Sequence, residues 1–200
     1  MSTLAIKPKN DTDTVEFQTH SGNTAIKVQG NELNLYNLSS DTDFSSVKFP
    51  GHVIQHAYTQ TGSVATGTTI FPEDDTIPQI TEGTEFMTLE IIPKFSTSTL
   101  SIEVHIFYSQ STGTRSGTGL FKNNDTNALA FTSNYIHGAT SMGNMQVFYS
   151  ETSSNTTART YKVRCGLLQN SGTFTFNGQS GARKFGGTSL STMRIMEIAG

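Results

Sequence analysis

Between Leu100 and Tyr108 the chain alternates without a break. Leu100, Ile102, Val104 and Ile106 fall on one side of an extended segment, and Ser101, Glu103 and His105 on the other. Successive side chains of a strand point to opposite faces, so this stretch has one face suited to a core and one suited to water or a partner. No stretch of ten or more residues spaces its apolar positions as a capped helix would, and an all-β protein is therefore expected. The composition agrees. The 200 residues include 22 Ser and 31 Thr, with 18 Gly and 13 Phe, while only 14% are charged. Thr favours pleated surfaces and Ser favours turns, so short strands joined by many turns are the expected outcome.

The same period recurs from residue 49 onward. Phe86 to Ile92, bounded by Gly83 and Pro93, is a second candidate strand, and Met145 to Tyr149 a third. Tyr161, Val163 and Cys165 alternate with Lys162 and Arg164, so Cys165 points with the apolar set and is predicted to be buried and inert. The last segment, Leu190 to Ile198, carries Met193, Ile195, Met196 and Ile198 and is apolar on both faces, which predicts a central strand or one packed against a neighbouring subunit. Turns are marked by Ser111-Thr112-Gly113, Asn123-Asn124-Asp125 and Ser171-Gly172. Strands at such intervals after Phe49-Pro50-Gly51 predict a sandwich, jelly roll or barrel over residues 49–200.

Residues 1–48 read differently. A polar arm containing Pro8 leads into short alternating pieces. Val15 and Phe17, then Ile26 and Val28, then Leu33 and Leu35 are separated by the turns Gly22-Asn23 and Gly30-Asn31, and the Ser- and Asp-rich stretch 37–48 follows as a linker. A meander of such short strands buries too little to stand alone, so it is expected to pack on the larger domain, on copies of itself, or on another protein.

Several functions are excluded or left without support. Thirteen Lys and Arg against 16 Asp and Glu give a net charge of -3, with no electrostatic basis for nucleic-acid binding. Apolar runs such as Ile91-Ile92 and Leu167-Leu168 are far below a membrane span, and the first residues lack a signal-peptide core, so a soluble protein made without a secretory signal is expected. One cysteine rules out an internal disulfide framework and a cysteine-rich zinc site. His52 and His56 are the only close histidine pair; as extended chain their Cα atoms are about 13 Å apart, too far to share an ion. Glu73-Asp74-Asp75 lacks the donor order of a calcium loop and reads as a solvated acidic turn. No Gly-x-Ser-x-Gly elbow is present, and Gly181 to Gly187 lacks the Gly-Lys-Ser/Thr ending of a phosphate loop. The sequons at Asn10, Asn37, Asn124 and Asn155 carry no information without secretion. No catalytic residue, metal ligand or cofactor is expected.

Two motifs carry a resemblance. The segment Phe49-Pro50-Gly51-His52-Val53-Ile54-Gln55 and the terminus Ser191-Thr192-Met193-Arg194-Ile195-Met196-Glu197-Ile198-Ala199-Gly200 together resemble virion proteins of tailed bacteriophages of the marine and cyanobacterial type. In those proteins such strands open and close a trimeric jelly roll similar to that of C1q and tumour necrosis factor. The resemblance spans about residues 49–200. It implies a non-enzymatic homotrimer located in the virion and assembled in the host cytoplasm, with no nucleic-acid or membrane partner. In that reading Met193, Ile195, Met196 and Ile198 lie at the trimer interface. Val15, Phe17, Ile26, Val28, Leu33 and Leu35 become the attachment to the major capsid protein or another virion protein. A capsid cement or decoration protein is the first expectation. A tail fibre or fibre tip that binds a host-surface receptor through loops 109–119 and 150–158 is the alternative, and a carbohydrate-active enzyme or lectin outside any virion is a third class.

Overall fold

The computed structural model describes the backbone of residues 14–18, 24–29 and 32–35, and residues 49–168 and 171–200 in full. The chain divides between Val47 and Lys48 into two units. In the first, β1 (Thr14–Gln18), β2 (Thr24–Gln29) and β3 (Glu32–Leu35) form an antiparallel meander. Its register is informative. Val15 lies opposite Val28, and Val28 opposite Leu33; Phe17 lies opposite Ile26, and Ile26 opposite Leu35. The six apolar positions therefore occupy two straight rows on one face, and Glu16, Lys27 and Asn34 form a polar row on the other.

The second unit is built from β4 (Val53–Thr61), β5 (Ala65–Gly67), β6 (Thr84–Ile91), β7 (Thr99–Gln110), β8 (Arg115–Lys122), β9 (Ala130–Tyr135), β10 (Met142–Thr152), β11 (Arg159–Leu167), β12 (Phe174–Phe176), the small hairpin β13 (Gly178–Gln179) and β14 (Ala182–Arg183), and β15 (Ser191–Ile198). One sheet runs β4-β15-β7, with β10 on the far side of β7; the short β5 and β12 extend the lanes of β4 and β15. The other runs β6-β11-β8-β9. Every pairing between named strands is antiparallel, and successive long strands cross from one sheet to the other except at β8 and β9, which pair as a hairpin within the second sheet. That winding is a jelly roll.

The alternation from Leu100 to Tyr108 builds the core directly. Leu100, Ile102, Val104, Ile106 and Tyr108 are at most 2% exposed and meet Met145 and Val147 of β10, Met193 and Ile195 of β15, and Val163 and Cys165 of β11. Tyr108 stacks on Phe174 with ring centroids 5.0 Å apart. As expected, the last strand is central, held between β4 and β7, and Cys165 is fully buried. Burial pushes its thiol pKa up to about 12, against a contact from Thr118 Oγ1 at 3.4 Å.

The expectation of an exposed loop over 109–119 is corrected. β7 continues to Gln110, β8 begins at Arg115, and Ser116 to Phe121 are buried. Gly117-Thr118-Gly119 is strand because its partner needs the space: a Cβ on Gly117 would lie 2.2 Å from the Phe131 ring. In the same way residues 150–152 belong to β10, and only 153–158 form a loop.

The connection from β5 to β6 folds over the outer face of the second sheet. Phe71 bridges to Leu168 and packs with Phe121, while Phe131 meets Phe71 edge-on at 5.0 Å. The Glu73-Asp74-Asp75 turn is exposed, as expected of a solvated loop, and Glu73 pairs with Arg115. The second sheet's outer face is thus covered in part, around Phe71, Phe121 and Leu168. The first sheet keeps an outer face with large side chains in the open.

Candidate functional site

That open face is ordered by register. Tyr58 of β4, Arg194 of β15, Glu103 of β7 and Phe148 of β10 stand directly opposite one another across four strands. The neighbouring row is His56, Met196, Ser101 and Ser150, and the next is Gln60, Thr192, His105 and Gln146. Arg194 reaches Glu103 Oε2 with Nε at 2.8 Å and NH2 at 2.5 Å, in the middle of the first row. Tyr58 and Phe148 flank the pair and are 50% and 64% exposed. Between them lies a shallow hollow of about 200 Å³. An aromatic at each end, a methionine beside them and a central ion pair make a surface that another protein face can cover.

The four residues assigned to the trimer interface separate here. Met193 and Ile195 point into the sandwich's own core, with no exposure, whereas Met196 and Ile198 lie on the other side of β15. Only the last two stand where a neighbouring subunit could touch them. The six attachment residues are brought together in the two rows described above, on one sheet face. His52 and His56 are not brought to a common site: His52 Nδ1 contacts the backbone of Phe49, and His56 sits over Tyr58 with ring centroids 5.9 Å apart. Among the described residues no group of three or more His, Cys, Asp or Glu is placed to hold a metal ion.

Tyr58, Glu103, Arg194 and Phe148 were not singled out from sequence. Their alternation was visible, but only the register sets them in one row. The inward direction of Glu197 was missed as well. It lies on the core side of β15, fully buried, and takes hydrogen bonds from Gln55 Nε2 at 2.6 Å, Ser98 Oγ at 2.5 Å, and the backbone N–H groups of Lys94 and Phe95 at 2.9 and 3.0 Å. Burial raises its pKa, but the bonds from Ser98, Lys94, Phe95 and Gln55 outweigh this, and the carboxyl is held below its ordinary value.

A second carboxylate, partly buried, lies at the same end of the sandwich. Glu151 accepts from Lys122 Nζ at 2.8 Å and from Tyr161 Oη at 2.5 Å, with Arg159 NH1 at 3.4 Å. Burial pushes its pKa up and these donors pull it further down; the same burial, with the carboxylate alongside, raises the Tyr161 phenol strongly. Ser98 and Ser153 link the two clusters, since Ser153 N donates to Ser98 O at 2.8 Å. Gly51 is also at this end, which we call the base of the jelly roll: its N–H donates to Ala199 O.

No protein-family model and no curated protein sequence matches the chain. Solved structures do resemble it. The Eiger TNF of S. frugiperda aligns over 76% of this chain and 94% of its own, with 10% identity and a TM-score of 0.46. A family 35 carbohydrate binding module from Clostridium thermocellum aligns over 70% and 97%, with 9% identity and a TM-score of 0.33. A structure of infectious bursal disease virus, Gx strain, aligns over 73% of this chain and 38% of its own, with 11% identity and a TM-score of 0.33. At these identities the likeness is one of fold.

Proposed function

We propose that the protein is a non-enzymatic structural component of a tailed-phage virion: a homotrimeric capsid cement or decoration protein that grips the shell through its N-terminal sheet and projects the jelly roll. The observation that carries this reading is the open outer face of the β4-β15-β7-β10 sheet, where Tyr58, Phe148 and Met196 surround the Arg194–Glu103 pair. Three copies packed through this face around a threefold axis remove the aromatics from water and enclose the ion pair. The meander supports the second half of the reading. Its two apolar rows leave one sheet face with no use in water, and three copies held together would grip a shell with an affinity that multiplies rather than adds.

The test is reconstitution. Purified trimers are mixed with phage shells stripped of this component, and bound copies are counted by gel densitometry. Saturation at a number set by icosahedral symmetry supports the decoration role. Trimers that ignore shells but bind host cells favour the second reading, a tail fibre or fibre tip, for which the exposed loop residues 154–158 are the specific feature.

A further inference from the structure

At the base of the jelly roll a cleft of about 200 Å³ opens between the end of β8, the end of β10 and loop 153–158. Its lining is polar apart from Ala158: Lys122, Asn123, Glu151, Asn155, Thr157 and Arg159 contribute. Two cations against one carboxylate leave the cleft with a net positive charge.

The walls are fixed in advance. Arg159, 6% exposed, donates from NH2 to Ser153 O at 2.7 Å and to Asn155 Oδ1 at 2.9 Å, which ties the loop to β11. Glu151 accepts from Lys122, Tyr161 and Arg159, so it is already paired with two cations and orients Lys122. Lys122 spends one of its three N–H groups on Glu151. Asn123 uses its Oδ1 to accept from Thr160 N at 3.0 Å, which frees its amide N–H groups for a ligand. Asn123 and Ser154, which both line the cleft, have positive φ, 53° and 59°.

We propose that this cleft binds one acidic monosaccharide unit of a glycan, with the sugar carboxylate on Lys122 and Asn123 and the ring hydroxyls on the Asn155, Thr157 and Ser154 side. Charge selects a carboxylate. Size selects a single ring, because pockets for drug-sized ligands run to about 300–1,000 Å³. The lining of hydroxyls and amides, without an aromatic or aliphatic wall, matches a hydroxyl-rich ligand and not a lipid or an apolar peptide. Neither the oligomeric state nor the place of the protein in a virion enters this inference, so it stands or falls separately from the trimer.

Titration calorimetry on the full chain tests it, with glucuronic acid as the probe and glucose and acetate as comparators. Saturable binding of one glucuronic acid per chain is expected, with both comparators weaker by about tenfold or more, since a hydrogen bond to a charged group is worth that factor. Lys122→Gln lowers the affinity by about tenfold on the same ground. Ala158→Trp fills the cleft from an exposed position, abolishes binding and leaves the melting temperature unchanged. Absence of binding at millimolar glucuronic acid, equal affinity for glucose or acetate, or an Ala158→Trp protein that binds as the parent does would each overturn the proposal.

Discussion

Arg194 NH2 lies 2.5 Å from Glu103 Oε2 on a sheet face that also exposes Tyr58 and Phe148. In a lone subunit this is a half-exposed ion pair worth about 0–1 kcal/mol, too little to matter for the fold. In the proposed trimer it would be enclosed between subunits, where its loss would cost far more. Arg194→Glu puts two like charges side by side and is expected to give a folded monomer with an unchanged circular dichroism spectrum. Adding Glu103→Arg restores opposite charges and with them the trimer. Sedimentation velocity of the single and double variants checks both outcomes.

Ile195 behaves differently, because it faces its own core with no exposure. Ile195→Asp buries an unpaired charge and is expected to unfold the subunit itself, by several kcal/mol, of the order seen when buried charges lose their partners. Loss of secondary structure, and not dissociation into folded monomers, is the readout.

Glu197 makes stability depend on pH. Its folded-state pKa is below its ordinary value, so its contribution is complete above the unfolded value near 4.5 and disappears as pH falls through the folded one. Glu197→Gln removes the charge at every pH and brings N–H groups where Ser98, Lys94 and Phe95 already donate. A loss of about 1.5–3 kcal/mol at pH 7, shrinking toward pH 3, is expected from denaturant curves.

These three residues also measure what could be read from the chain alone. β6, β7, β10 and β11 were legible, because alternation survives in a strand with one buried face, and β15 was legible as a central strand because its apolar residues fall on both faces. β8 was not, since Gly117-Thr118-Gly119 has the composition of a turn, and the ring of Phe131 that requires those glycines comes from the neighbouring strand. Glu197 looked like a polar residue on an apolar strand, and its donors at 55, 94, 95 and 98 lie about a hundred or more positions away. The Tyr58–Arg194–Glu103–Phe148 row needed the register of four strands, which alternation within each cannot give. The meander was the opposite case: its Gly-Asn turns eight residues apart already implied the pairing that aligns Val15 with Val28 and Leu33.

Cys165 should ignore thiol reagents in the native state, because its pKa is pushed to about 12 and the side chain is sealed in the core. An aromatic disulfide reagent at pH 8 is expected to label none of it in buffer and one thiol per chain in guanidinium chloride.

The attachment module has its own test. Phe17→Asp or Val28→Asp interrupts one of the two apolar rows, and each is expected to abolish rebinding to stripped shells while leaving the trimer mass unchanged, since the proposed trimer contact is on the jelly roll. A variant that still saturates the shells would remove these rows from the grip.

The trimer through the open sheet face is the central claim of the proposed function, and light scattering on the purified protein tests it most directly. A particle of about 65 kDa, three chains of 21.7 kDa, that falls to a single chain on Arg194→Glu is the predicted result. A wild-type protein that scatters as one chain, or a trimer untouched by Arg194→Glu, would contradict it.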